Sequence, residues 1–151
     1  MIFNKLKTNS LLPIAIAATI FVAPSFAKYV RYEPEIDTIV GVIQRQTFPG
    51  PPNYESIKNG DEAERYWILN LDEPVSIKGI DEIDIDEKDA KRVQLILTSE
   101  QYNKYRKWML KRVRVIGLFT HAITGHHKTS LLIKANDIQL IQKRNSRNSL
   151  E

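Results

Sequence analysis

The sequence predicts a mainly β fold carrying one short helix. Three observations predict it. Short runs with apolar residues at alternate positions recur between residues 39 and 141, the period of a half-buried strand. Between the third and fourth runs the period changes to three and four residues, that of a helical face. The stretch 111–133, KRVRVIGLFTHAITGHHKTSLLI, reads as two strands joined by a tight turn. Five strands with one helix between the third and fourth match a five-stranded OB-like Greek-key barrel. In that architecture ligands meet the face of strands two and three, between the first-to-second and fourth-to-fifth loops.

The elements follow in order. Residues 28–37 are polar and read as a loose lead-in. Ile39, Val40, Val42 and Ile43 around Gly41 form the first strand. Pro49-Gly50-Pro51-Pro52 then forbids regular ladder pairing, and Asn59-Gly60-Asp61 signals a turn, so 49–64 is a long loop with Tyr54 just past the prolines. Loops of this length in small domains are often functional. Residues 66–71, YWILNL, are the second strand. Asp72-Glu73-Pro74 bends or interrupts it before Val75-Ser76-Ile77.

Asp81, Glu82, Asp84, Asp86, Glu87 and Asp89 follow, without the ligand spacing of a calcium loop. They read as a solvated acidic connection. Residues 93–97, VQLIL, are the third strand. Thr98 or Ser99 can cap a helix, and Thr98-x-x-Gln101 has the form of a capping box. Tyr102, Tyr105, Trp108 and Met109 then share one helical face, which at this spacing is more often core than a ligand platform, while Lys104, Arg106 and Lys107 lie off it.

In the fourth strand Val113, Val115 and Phe119 take one face, and Arg112, Arg114, Leu118 and Thr120 the other. Gly117 inside it marks a bulge or a sharp bend. Thr124-Gly125 supplies the turn, glycine being free to take positive φ. Leu131, Leu132 and Ile133 open the return strand, which runs on, kinked at Asn136-Asp137, to Ile141. Residues 142–151 are a flexible polar tail.

The amino terminus carries Lys5 and Lys7, an apolar run from Leu11 to Val22, and small residues in Ser25-Phe26-Ala27. That is the layout of a cleaved secretory signal peptide, 1–27. The apolar run is shorter than the about 20 residues a membrane span takes, and it contains Pro13. The expected mature protein is one domain, 28–141, periplasmic or secreted, with no membrane span after cleavage. There is no cysteine, which excludes disulfides, thiol catalysis and thiolate metal sites. Lys5 and Lys7 account for half of the net charge of +4, so the mature chain is near neutral. Residues 28–100 hold 16 acids and 9 bases, and residues 101–151 hold 2 and 11. Either the two halves interleave and compensate, or the last third forms a basic face.

All three histidines, His121, His126 and His127, fall on the hairpin. The plainest reading has Thr124, His126 and Thr129 hydrogen-bonded around the turn with His127 exposed. A metal site built from His121, His126 and His127 is a second reading, since imidazole suits zinc, copper and nickel. Direct contact with a partner is a third. The fold brings the 49–64 loop towards the 124–128 turn, so the candidate binding residues are Tyr54, Asp61, His126 and His127, with Trp67 as a floor. For catalysis, Asp61 or Asp72 could orient a histidine with Ser56 or Thr129 as nucleophile. No nucleophile-elbow, zinc-protease or phosphate-loop pattern is present, and the sequence points away from an enzyme. It implies no cofactor.

The loop PGPPNYESIxxGD and the hairpin VxGxFxxAxTGHHxT together resemble an exported bacterial family, domain of unknown function 4431. The matching hairpin residues are Val115, Gly117, Phe119, Ala122, Thr124, Gly125, His126, His127 and Thr129. The resemblance implies export and carries no established activity.

The expectation is therefore a small exported binding module whose partner is an envelope protein or an envelope glycan. An envelope inhibitor or immunity-type protein is the alternative, and a histidine metal-binding protein a second. Export and near-neutral charge weigh against nucleic acid.

Overall fold

Among the described residues, alternating apolar positions build six strands, and a three- and four-residue period builds one α-helix. The strands are β1 (Lys28–Val30), β2 (Ile36–Pro49), β3 (Ala63–Ile77), β4 (Glu87–Ile96), β5 (Arg112–His121) and β6 (Leu131–Leu140), and the helix is α1 (Ser99–Tyr105). The computed structural model describes residues 27–79 and 85–142. The expected export signal lies outside these residues but for Ala27, and the expected tail but for Gln142. Asp81, Glu82 and Asp84 of the acidic connection also lie outside them.

The pairings return to their starting point. β2 pairs antiparallel with β3 and with β5, and β5 pairs antiparallel with β6. β6 runs parallel to β4, and β4 pairs antiparallel with β3. β2 serves two neighbours by changing partner along its length. Residues 36–42 lie against β5 and residues 41–49 against β3, with Gly41 paired to both Leu71 and Val113. A Cβ on Gly41 would stand 2.2 Å from the Asn70 carbonyl oxygen, so only glycine lets the backbones approach this closely.

Two bends expected from sequence are register shifts. β3 shifts between Asn70 and Val75, where Asp72-Glu73-Pro74 falls. β5 and β6 shift at Ile116/Gly117, opposite Asn136, which is left out of the ladder.

Three expectations need correction. The lead-in is a sixth strand. β1 runs parallel to Val75–Ile77, and Val30 and Tyr32 are both buried. Its polar look comes from Arg31, Glu35 and Asp37, and Arg31 pairs with both carboxylates. The first strand is also far longer than 39–43, reaching Pro49, because pairing with β3 persists until the prolines. Finally, the hairpin turn is not tight. Residues 122–130 form a loop closed by Ala122 N–H donating to the Ser130 carbonyl at 3.0 Å.

The core lies on one face of the sheet. Ile43, Leu69, Val93, Val113, Val115, Phe119, Leu131 and Ile133 are its fully buried members. α1 forms as the sequence indicates. Thr98 accepts from Gln101 N–H, and the Gln101 side chain accepts from Thr98 N–H, completing the capping box. Tyr105 is buried, while Tyr102, Trp108 and Met109 pack on the core beside it. No helix among the described residues is long and apolar enough to cross a membrane.

Candidate functional site

The 49–64 loop is built from its own backbone inward. Gly60 turns the chain at φ 107°, a conformation that glycine takes without steric cost. The turn carries Asp61 back under the loop, where its carboxylate accepts from Asn53, Glu55 and Ser56 N–H at 2.9, 2.7 and 2.7 Å. The Ser56 N–H is the main cause holding the Asp61 carboxyl below its ordinary range. Burial works the other way, and the Asn53 and Glu55 N–H groups add to the lowering. Asp61 is thus a buried organiser of the loop, with its oxygens spent on the chain itself.

That loop presents Tyr54 to the hairpin. The Tyr54 hydroxyl lies 3.3 Å from His126 Nε2, and the two rings meet edge to face. Gly125 is needed here for a reason the sequence did not suggest. Its φ is not positive. A Cβ on it would instead meet the Tyr54 ring at 3.2 Å.

From below, β3 supplies Glu64 and Tyr66, two residues apart and so on one face of the strand. The Tyr66 hydroxyl donates to Glu64 Oε2 at 2.9 Å and stands 3.1 Å from His126 Nδ1. His126 Nδ1 is also 3.2 Å from Glu64 Oε1. With Tyr66 donating to the carboxylate, the proton between imidazole and Glu64 belongs on Nδ1. Burial, then the bond and charge of Glu64, push the Tyr66 hydroxyl up to about 12. Burial raises the Glu64 carboxyl, but the Tyr66 bond and the charges of His126 and Lys128 outweigh it, so its net shift is downward.

Lys128 ties the parts together. Its side chain is only 7% exposed, and its ammonium donates to the Pro49 and Gly125 carbonyls at 2.9 and 2.6 Å. It lies 3.5 Å from Glu64 Oε2 and 4.7 Å from the Tyr54 ring centre. A buried lysine is rare unless paired in this way.

The hairpin loop is fixed to β4 by Gln94, which is buried between Ile68 and Leu132 in register. Its side-chain amide donates to the His126 carbonyl at 3.1 Å and accepts from Lys128 N–H at 2.6 Å. Thr129 accepts from Gln94 N–H and donates to the Leu131 carbonyl. Ile68 and Leu132 are fully buried although they face away from the core. The loop therefore lies over the outer face of β3, β4 and β6.

Of the residues expected at the site, the structure brings Tyr54 and His126 into contact and places Asp61 beneath them. The hairpin reading that left His127 exposed and His126 within the turn is reversed in exposure. His126 is the exposed one, 55% accessible, while His127 is half-buried in the hairpin. His127 N–H donates to the Thr124 carbonyl, and its Nδ1 accepts from Ile123 N–H at 2.9 Å. Burial, then the neighbouring His126 and His121, lower its pKa. Trp67 is not a floor for this pole. It points to the core face, edge-on to Tyr102 of α1. His121 sits edge-on to Tyr32. Among the described residues no group of three or more His, Asp or Glu could hold a metal ion.

Sequence reasoning missed Glu64, Tyr66, Gln94 and Lys128. The period-two spacing of Glu64 and Tyr66 was a usable signal. Nothing local marked Lys128 or Gln94.

The class is thus a mainly β protein with a polar pole clasped by two loops. Residues 92–139 match the family model described as Domain of unknown function (DUF4431), the family that the hairpin motif resembles. The match runs from β4 to β6 and includes His126, His127 and Lys128. No curated protein and no solved structure matches the chain.

Proposed function

We propose that this protein is a small exported binding module that holds a protein partner at the pole built by the 49–64 loop and the 122–130 loop. The contact between Tyr54 and His126 carries the reading. Two loops distant in sequence are locked into one surface, with an accessible imidazole at its centre. Asp61, Gln94 and Lys128 hold that surface rigid, and a rigid surface loses little entropy on binding. Each loop also exposes one large apolar side chain, Ile57 and Ile123, which favours a protein partner over a glycan.

We read the closed pairing as the five-stranded OB-like Greek-key barrel. The order of β2 to β6, the parallel β4–β6 pair and the helix between β4 and β5 support it. The two loops are then those that flank the ligand face in that architecture, and here the hairpin loop itself covers much of that face.

The test is crosslinking in the cell envelope with wild type and a His126→Ala/Tyr54→Ala variant first shown to be folded. One stoichiometric partner, captured by wild type and lost with the variant, is expected. Equal capture by both would remove the pole from the interaction. Saturable binding of peptidoglycan fragments, lost with the same variant, would replace the protein partner with a glycan. Amino-terminal sequencing of the fractionated protein should begin at Lys28 if export proceeds as proposed.

A further inference from the structure

We propose that a second surface, the groove between α1 and the β2–β3 pair, binds an acidic peptide segment of a partner protein that also carries an apolar side chain. The groove measures about 560 Å³ and is lined by Arg45, Trp67, Tyr102, Asn103, Arg106 and Leu110. It shares no residue with the loop pole and does not depend on the function proposed for it.

Charge selects the acidic part. Arg45 and Arg106 are exposed, and among the described residues neither side chain makes an ion pair or hydrogen bond. Two forked guanidinium groups in one groove match carboxylates, which they can hold through paired bonds. The surrounding chain reinforces this. Residues 99–114 contain Lys104, Arg106, Lys107, Lys111, Arg112 and Arg114 against Glu100 alone.

Leu110 selects the apolar part. It is 69% exposed and sits at φ 61°, in the left-handed region that a leucine rarely adopts. The conformation is held by Leu110 N–H donating to the Ile43 carbonyl at 2.8 Å and by Lys111 N–H donating to the Trp108 carbonyl at 2.9 Å. Glycine would fill this position with less strain. The fold instead keeps a large apolar side chain standing in solvent at the rim, and strain of this kind gathers at binding sites.

The same exposure decides between occupants. A pocket for a small molecule encloses most of it. A rim as open as Leu110 cannot do so. A polypeptide laid across the groove covers Leu110 and still reaches both arginines.

The test uses the full chain and the fluorescein-labelled peptide acetyl-Glu-Leu-Glu-Phe-Glu-Leu-amide, followed by anisotropy, with the Trp67 indole N–H observed by NMR. Saturable binding with a shift at Trp67 is expected. Affinity should fall at least about tenfold in Arg45→Ala/Arg106→Ala, in Leu110→Gly, and with glutamine in place of each glutamate of the peptide. Leu110→Gly is a folded control by design, since glycine accepts the local φ, and its melting temperature should not fall. No saturable binding, unchanged affinity in the variants, or shifts gathered at His126 in place of Trp67 would each overturn the proposal. Octanoate binding at Trp67 as tightly as the peptide would also overturn it, by assigning the groove to small carboxylates.

Discussion

Gly125 packs against the ring of Tyr54, leaving 3.2 Å between the ring and the place a Cβ would occupy. The two loops of the pole meet at this contact, across a gap of about seventy residues in the chain. Gly125→Ala should displace the ring by a few tenths of an ångström and weaken the Tyr54–His126 contact, at a cost of about 1 kcal/mol or less. Nuclear Overhauser contacts between the two rings would measure the displacement, and denaturant unfolding the cost. Unchanged ring contacts would mean that the glycine is not required for the packing.

Asp61 should be the most sensitive residue of the 49–64 loop. Asp61→Ala leaves three N–H groups without their charged acceptor and should lower the melting temperature by about 5 °C or more. Its folded pKa is depressed, so its contribution is present above the ordinary carboxylate pKa and is lost as pH falls through the lower, folded value. Asp137 is lowered in the same way, first by its bond from the Tyr105 hydroxyl. Asp61→Asn should therefore show a shallower loss of stability below pH 3.8 than wild type, measured as melting temperature against pH.

Tyr66 should titrate far above an ordinary tyrosine, at about 12. The fold favours its neutral form, so that contribution is present below pH 10.0 and disappears as pH rises through the folded value. Glu64→Gln should lower the Tyr66 pKa without returning it to 10.0, because burial is the larger cause. Carbon NMR at Tyr66 Cζ follows the titration directly. A full return to 10.0 would mean that Glu64, and not burial, sets the value.

The two adjacent histidines should separate cleanly. His127→Ala removes the acceptor of Ile123 N–H and should destabilise the loop, seen as faster amide exchange at Ile123. His126→Ala should leave that exchange unchanged while losing the partner. The folded state holds His127 below 6.5, favouring neutral imidazole, so this contribution is present above pH 6.5 and falls away as pH drops through the lower folded value.

Gly117 lies where the backbones of β5 and β6 approach closely. A Cβ there would stand 2.3 Å from the Lys134 carbonyl oxygen, a backbone atom that cannot swing aside. Gly117→Ala should cost about 3 kcal/mol or more, read from urea unfolding. A cost under 1 kcal/mol would show that the register shift beside it can absorb the methyl group.

Much of the fold was readable from the chain because its signals are local. The alternation of Val113, Val115 and Phe119, the capping box of Thr98 and Gln101, and the Asn59-Gly60-Asp61 turn each depend on residues within a few positions of one another. β1 was not readable, because the value of Val30 and Tyr32 lies in partners on β3 and β5. Gly125 was read as a turn glycine, since the ring it accommodates belongs to Tyr54.

The sequence by itself determined the strands, the helix with its cap, the bends at Gly117 and Pro74, and the loops that carry Tyr54 and His126. Only the tertiary structure decided which side chains meet. Trp67 faced two possible sides of a strand, and burial against Tyr102 chose the core. His126 and His127 are equivalent in sequence, but Ile123 N–H engages one and leaves the other exposed. Lys128 reads as a surface cation until Glu64, Pro49 and Gly125 surround it. Contacts of this kind join residues tens of positions apart. Their energy depends on distance and desolvation in the folded chain, and no spacing along the sequence encodes either.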